Sequence, residues 1–394
     1  MSKILITGNG FDLAQGLPTR YADFIEVLNR LKSNSNISTN IKDYFDLDSI
    51  SKNTKQIELL EKAKQLDSES LESLKNRLDN KWFKYFKYQL DIETWIDFET
   101  ALEKALDFFD ENLKYIKNKY FTSDMDYEEP FPVFKESLLS NSYNRLFLNE
   151  FGLIKYKVEE EYFCFDSKFC KVDSKNMIVY DFDIQAFYTE INREWEEFVS
   201  LFNSYLIIFV EPLIEYIDNS NFIFLDYHFT FNYTNSYIRI FNDDLVTKHL
   251  HGKIDKTSSN NNLVMGFHTD LKKEKYIIPF IKGYQKMKNN TESEMFYDFQ
   301  YNLNNADIYI WGHSLDISDK FYIDQIKGLL DNDNIRFVKL KVLYHSSEDE
   351  LLKNLCNMYS ISEIEKLRFD KKLFFIKATE ENLQKEFKIV PRKR

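Results

Sequence analysis

Four short segments of this chain hold the residue types that bind and transform small polar ligands. The first is Gly8-Asn9-Gly10-Phe11-Asp12, continued by a loop through Gly16 to Thr19. It follows a β-prone apolar run, Lys3 to Thr7, and precedes Tyr21, Phe24, Ile25, Leu28 and Leu31 at helical spacing. The pattern predicts a strand, a glycine turn, a short loop and a helix, with Thr19 at the helix N-cap. Glycine at a strand end lets backbone approach a phosphate closely. Asp12 is placed either to bond ribose hydroxyls or to cap a helix, and a plain βα turn would carry the same residues.

The second segment, Thr230-Phe231-Asn232-Tyr233-Thr234-Asn235, follows a strand expected over 222–229. Its amides suit a ribose or an ordered water, or else an Asx turn. The third is His249-Leu250-His251-Gly252, in a chain with six histidines. Residues two apart on a strand share a face, so both imidazoles are expected on one side. Three readings stay open: a general base titrating near neutrality, a metal site completed by His268 or His313, and packed structural histidines. The fourth, Trp311-Gly312-His313-Ser314-Leu315-Asp316, reads as a strand running into a helix. Backbone N–H groups and a hydroxyl there make an anion site, or Ser314 or Asp316 simply caps the helix. It is not a G-x-S-x-G elbow, so serine hydrolase chemistry is unsupported.

These segments gain weight from the scarcity of glycine. The 394 residues include nine, and Gly8, Gly10, Gly16, Gly252, Gly266 and Gly312 all fall at or near expected strand ends. In open α/β sheets, ligands bind at the carboxyl ends of the strands.

Apolar runs at 222–229, 246–250, 308–311, 337–344 and 373–376 read as strands, with helical patterns at 321–330 and 348–359 between them. Such alternation predicts a parallel sheet. Between the opening unit and these strands, residues 41 to 115 read as amphipathic helices. Leu71, Leu74, Leu78, Trp82 and Phe86 mark one; Trp95, Phe98, Leu102, Ala105, Leu106 and Phe109 mark another. Runs at 162–165 and 177–180 suggest a small hairpin, and 187–216 a long helix. The fold class expected is α/β, a doubly wound Rossmann-like parallel sheet with a large, mainly helical insertion after the first βα unit. Residues 1–40 and 220–394 would form the nucleotide-binding domain and 41–219 the insertion.

A net charge of −12 disfavours nucleic acid as a partner. The basic end, Pro391-Arg392-Lys393-Arg394, reads as a solvated tail. Cys164, Cys170 and Cys356 contain no Cys-x-x-Cys, which suggests no zinc ribbon and suits a reducing compartment. The start is too short in apolar residues for a signal peptide, and no run approaches 18 uncharged apolar residues. A cytoplasmic protein with no membrane partner is expected.

Taken together, the segments resemble the bacteriophage abortive-infection AbiH family. The opening "ILITGNGFDLAQGLPTRYADF" is the most specific stretch, followed in order by "TWIDFETAL" (94–102), "FTFNYTNS" (229–236), "KHLHGKI" (248–254) and "IYIWGHSLDISDKFY" (308–322). The same order is similar to the wider sirtuin-like superfamily: a glycine-rich first loop, an Asn at a strand end, His-Gly, then Gly-x-Ser. The resemblance implies a sirtuin-like sheet with NAD as substrate or ligand. It implies that Asn232, with Tyr233 beside it, positions the nicotinamide ribose or the attacking water, and that His251 is the general base. Gly8, Asn9, Gly10, Phe11, Asp12 and Thr19, with Gly312, His313 and Ser314, would hold the diphosphate and adenosine ribose. The chain lacks the four-cysteine module of sirtuin deacylases, which speaks against protein deacylation.

The expectation is therefore an antiphage protein that hydrolyses NAD at the nicotinamide glycosidic bond and needs no metal. Its partners would be a small-molecule nucleotide and a second copy of itself or another defence protein. Two alternatives stand beside it: a nucleotide-sensing or scaffolding module without turnover, and a metal-dependent hydrolase or nuclease using His249 and His251.

Overall fold

The structure is a computed structural model. It describes residues 2–89, 92, 94–120, 148–157, 162–172, 179–217, 221–222, 225–241, 245–256, 262–269, 273–291, 295–296, 305–332, 337–387 and 390–391. Six strands form one sheet: β1 (Ser2–Thr7), β2 (Tyr227–Thr230), β3 (Thr247–His249), β4 (Asn305–Trp311), β5 (Phe337–Tyr344) and β6 (Leu373–Lys377). Every pairing is parallel, and the order is β6-β5-β4-β1-β2-β3. Register brings the strand ends level. Thr7 lies opposite Thr230 and Trp311, Thr230 opposite His249, and Trp311 opposite Leu343.

Alternation along the strands fills a core on each face. Ile4 and Ile6 join Phe229, Ile308, Ile310, Leu340 and Val342 on one face, covered by the helix Lys320–Asp331. Leu5 joins Tyr309, Trp311 and Leu343 on the other, with Tyr237 and Phe241 of the helix Ser236–Phe241 and with Phe387. A strand apolar on both faces needs two covering layers, which is why these segments read as continuous apolar runs.

The helical part has its own aromatic core. Phe24, Trp82, Phe86, Phe98, Trp195, Phe198 and Phe202 are all buried, with ring pairs as close as 4.7 Å for Phe86–Phe98 and 4.8 Å for Trp95–Phe202. Edge-on and offset pairs of this kind add about 0.5–1.5 kcal/mol each beyond area burial. This core also takes Tyr21 from the opening segment and Met265, Phe267 and Phe280 from the C-terminal part.

Several expectations are corrected. The series Leu71 to Phe86 is two helices, Ser68–Asn76 and Lys81–Lys87; the Asn80 side chain accepts from Phe83 N–H and starts the second afresh. The run 162–165 pairs with Ile154–Lys157, while Val179–Phe182 pairs with Cys170–Val172. They are thus not partners in one hairpin, and Met177 and Ile178 lie outside the described residues. The strand expected over 222–229 is Tyr227–Thr230, with Asn221–Phe222 paired to Val390–Pro391 instead. The long helix runs Ile184–Tyr205 and continues through a π-helical turn, Leu206–Val210, to Glu211–Ile214. Among the described residues, this one helix is long and apolar enough to cross a membrane by length and composition, and most of its apolar stretch is buried within the protein. Its apolar surface is spent on the aromatic core: Phe198, Phe202, Tyr205 and Phe209 all face inward.

Candidate functional site

The first connection is tighter than a turn and loop. Gly8 is the N-cap of a six-residue helix, Asn9–Ala14, that begins directly after β1. Its segment lies against the end of β4: Gly8 N–H donates to Trp311 O at 3.0 Å and Gly10 N–H to Gly312 O at 2.7 Å. Gly312 has φ +73°, and a Cβ there would stand 2.1 Å from Phe11 N. Gly312→Ala therefore meets both backbone strain and a collision with main chain. It is expected to cost at least about 1–3 kcal/mol, seen as a lower urea midpoint; an unchanged midpoint would contradict the close approach. Phe11 packs edge-on against Trp311 at 5.0 Å. Gly8 and Phe11 thus shape the junction of β1 and β4 and do not line the cavity beyond it.

That cavity has a volume of about 360 Å³ and lies past the carboxyl ends of β1, β2, β3, β4 and β5, within the usual range for small-ligand sites. Asn9, Gly10, Asp12 and Thr19 line it from the first connection, and Asn232 and Tyr233 from the end of β2. His251 enters from beyond β3, and Gly312, His313 and Ser314 from beyond β4. Trp95, Phe98 and Glu99, from the helix Trp95–Tyr120, close it from the helical side.

Asn232 is 6% exposed and fixed by its backbone: its N–H donates to Thr230 Oγ1 at 3.0 Å, and its carbonyl faces His249 Nδ1 at 2.9 Å. Its side-chain Nδ2 is buried with no hydrogen-bond partner of ordinary geometry, although the amide stands close enough to Asp12 to favour the ionised carboxylate. A buried donor left unpaired costs about 1–3 kcal/mol and marks a place for a ligand acceptor. Thr19 Oγ1 is a second such atom. Thr19 is not the helix cap expected of it. The helix Tyr21–Ser33 starts after Arg20, whose N–H donates to the Asp23 carboxylate at 2.9 Å, and this leaves the Thr19 hydroxyl to the cavity. Asp12 is not a cap either. It accepts from Thr234 Oγ1 at 2.7 Å and Ser236 Oγ at 2.5 Å, and burial pushes its pKa up to about 6 against those hydrogen bonds.

Asp319 organises the floor. Its Oδ1 lies 2.8 Å from His251 Nε2 and its Oδ2 3.2 Å from His313 Nε2. Leu315 N–H donates to His313 Nδ1 at 2.9 Å, so His313 carries its proton on Nε2. His251 likewise points Nε2–H at a carboxylate and leaves Nδ1 with no hydrogen-bond partner among the described residues. Lys282 Nζ stands 2.6 Å from Glu99 Oε1, 3.2 Å from Ser318 Oγ and 3.9 Å from Asp319 Oδ1. Burial alone would neutralise these groups, and their partners decide the outcome. Lys282 and His251 hold the Asp319 carboxyl well below the ordinary range despite its burial. Asp319 and Glu99 keep Lys282 above the usual lysine value. Burial pushes the His251 imidazole down to about 4, so it is neutral at pH 7. Burial also pushes Glu99 up to about 7, with Lys282 opposing.

The two neighbouring histidines are separated. β3 stops at His249, whose ring bonds the Asn232 carbonyl and, at 3.1 Å, Asn235 Oδ1. His251 lies beyond the strand end in a turn and faces Asp319, so the shared strand face does not exist. Among the described residues, no group of three His, Cys, Asp or Glu side chains is arranged to hold a metal ion. The helix expected directly after Gly312-His313-Ser314 starts later: a 3-10 turn, Ile317–Asp319, leads into Lys320–Asp331. Asp316 caps that turn by accepting from Ser318 N–H at 2.9 Å, and the Ser314 carbonyl accepts from Asn354 at 2.8 Å. Sequence reading missed Glu99, Lys282 and Asp319. Glu99 and Asp319 lie within the quoted segments "TWIDFETAL" and "IYIWGHSLDISDKFY", but nothing local tells such carboxylates from surface ones.

Fold and site define the class: an α/β protein whose six-stranded parallel sheet presents a polar, partly unsatisfied cavity at its strand ends, roofed by helices. The family model described as bacteriophage abortive infection AbiH matches residues 4–340. The chain belongs to this family, and its role is antiphage defence by abortive infection. No curated protein and no solved structure matches it.

Proposed function

We propose that the sheet is a doubly wound, Rossmann-like nucleotide-binding sheet of sirtuin-like type, and that the chain hydrolyses NAD at the nicotinamide glycosidic bond. Read from β3, the strand order is 3-2-1-4-5-6, the order of dinucleotide-binding sheets, which bind at the reversal point beside strand 1. The junction of β1 and β4, where Gly8 and Gly10 meet Gly312, is that point. In this reading residues 1–40 and 220–394 carry the nucleotide and 41–219 supply the roof.

One observation carries the reading: the unpaired Asn232 amide shares a cavity with a neutral imidazole whose far nitrogen is held by a carboxylate. Nicotinamide is a good leaving group. As the bond from C1′ of the ribose to the ring nitrogen breaks, its electron pair stays on nicotinamide, and C1′ becomes oxocarbenium-like. Water then bonds C1′ and gives a proton to His251 Nδ1, yielding ADP-ribose. The chain's work is to orient the ribose and water through Asn232 and Thr19 and to accept that proton. Asp319 stabilises the imidazolium as it forms, as in other carboxylate–histidine pairs.

The test is nicotinamide release from NAD by the purified full chain, with and without phage lysate. Release is expected from the wild type and about 10²-fold less from Asn232→Ala, the scale of losing a positioning contact. Saturable NAD binding with no release in either condition would replace hydrolysis by nucleotide sensing.

A further inference from the structure

Three carboxyls and two ammonium groups stand at the cavity. Asp12 and Asp319 are buried carboxyls at its wall and Glu99, 16% exposed, is a half-buried one, with the buried ammonium groups of Lys282 and the adjoining Lys286 beside them. Asp319 and Lys282 are matched, and Asp319 also receives two histidine N–H groups. Lys286 lies 4.1 Å from the centre of the Tyr322 ring, which shares its charge. Asp12 is satisfied by Thr234 and Ser236. Glu99 is the group left over: Lys282 takes its Oε1, and its Oε2 has no hydrogen-bond partner among the described residues. Trp95, Phe98, Phe202 and Tyr233 line the same cavity. A carboxylate with a free oxygen in a cavity lined by aromatic rings suits a delocalised cation, attracted by the charge and by the ring quadrupoles. Asn232 lines the same cavity, and its buried Nδ2, which makes no hydrogen bond of ordinary geometry, independently points to a ligand there.

We infer that Glu99 is the specificity-determining residue for the charge on the ligand: the helical roof supplies the counter-charge to a cationic pyridinium ring, so the site takes the oxidised dinucleotide and refuses the reduced one. The inference rests on the dinucleotide reading above but not on turnover. The same carboxylate faces the positive charge that spreads to the ribose as the glycosidic bond opens, so it favours the transition state as well as the bound ring. Lys282 keeps Glu99 in place and keeps its net attraction moderate.

Isothermal titration of the full chain with carba-NAD, whose glycosidic bond does not hydrolyse, is compared with NADH and with ADP-ribose. The wild type is expected to prefer carba-NAD over NADH by about tenfold or more, as a desolvated charge pair allows. In Glu99→Gln the preference should fall within about threefold while ADP-ribose affinity is retained, which shows the fold intact. Glu99→Asp should keep most of the preference. A wild type that binds both dinucleotides equally, or a preference that survives in Glu99→Gln, overturns the inference. Loss of ADP-ribose binding in both variants assigns Glu99 a structural role and overturns it too. A Glu99-dependent preference without nicotinamide release sustains the inference and removes the hydrolysis reading. A wild type that binds none of the three removes both.

Discussion

On the proposed reading, His251→Ala is expected to lower nicotinamide release from NAD by about 10²–10⁴-fold, the contribution of a positioned general base, with little loss of ADP-ribose binding. The geometry behind this expectation is asymmetric. Nε2 is committed to Asp319 at 2.8 Å, and Nδ1 is the nitrogen left to act. A ring whose pKa has been pushed down to about 4 is a weak base in the resting site. It needs to be strong only once the water oxygen has begun to bond an oxocarbenium-like carbon, when that water becomes acidic and the Asp319 carboxylate can stabilise the new imidazolium. The same burial makes a prediction about pH. His251 is the free base throughout pH 5–8, so it sets no limb of kcat/KM in that range. An inflection near 6.5 that disappears in His251→Gln would place the ring in water and contradict the buried arrangement. An effect of His251→Ala below threefold would remove the residue from the chemistry.

The second large effect is on stability. Asp319→Ala lowers the unfolding free energy by about 3–5 kcal/mol, as expected when one member of a buried charged cluster is removed and its partners are stranded. Two imidazole N–H groups lose their acceptor, and Lys282 is left with Glu99 and Ser318. Asp319→Asn preserves volume but turns one of the two acceptor oxygens into a donor facing an imidazole N–H, so it also destabilises and disturbs the His251 tautomer. Urea unfolding at pH 7 measures the loss. Folded Asp319 is ionised at that pH and remains so well below the ordinary carboxylate range. Its contribution is therefore full above the unfolded pKa near 4, falls progressively as the pH drops below that, and is lost once the pH has fallen through the depressed folded value. A loss under about 1 kcal/mol at pH 7 would mean that the two histidines and Lys282 do not depend on Asp319.

Much of the architecture was legible because it is local. A strand such as Phe337–Tyr344 is a run of β-prone residues, found where the run predicts. The helix Trp95–Tyr120 repeats its apolar residues at helical period. Errors arose where a capping side chain overrode periodicity, as Asn80 does, or where a strand ended one residue early, as β3 does at His249. Strand pairing in the region 154–182 was misread because short runs do not encode their partners.

The sequence by itself determined which segments become strands, where glycine permits backbone to approach backbone, and that Asn232, His251 and Gly312 sit at strand ends. These are properties of a few consecutive residues and their steric limits. Tertiary structure alone decided which of them share a cavity and in what state of charge. Asp319 meets His251 across 68 positions in sequence, and Glu99 meets Lys282 across a much longer separation. The parallel register levels β1, β2 and β4, and the helical roof is held by aromatic packing. The pKa of a buried group follows from the solvent it has lost and the charges it has gained, and both are set only once distant segments have closed around it.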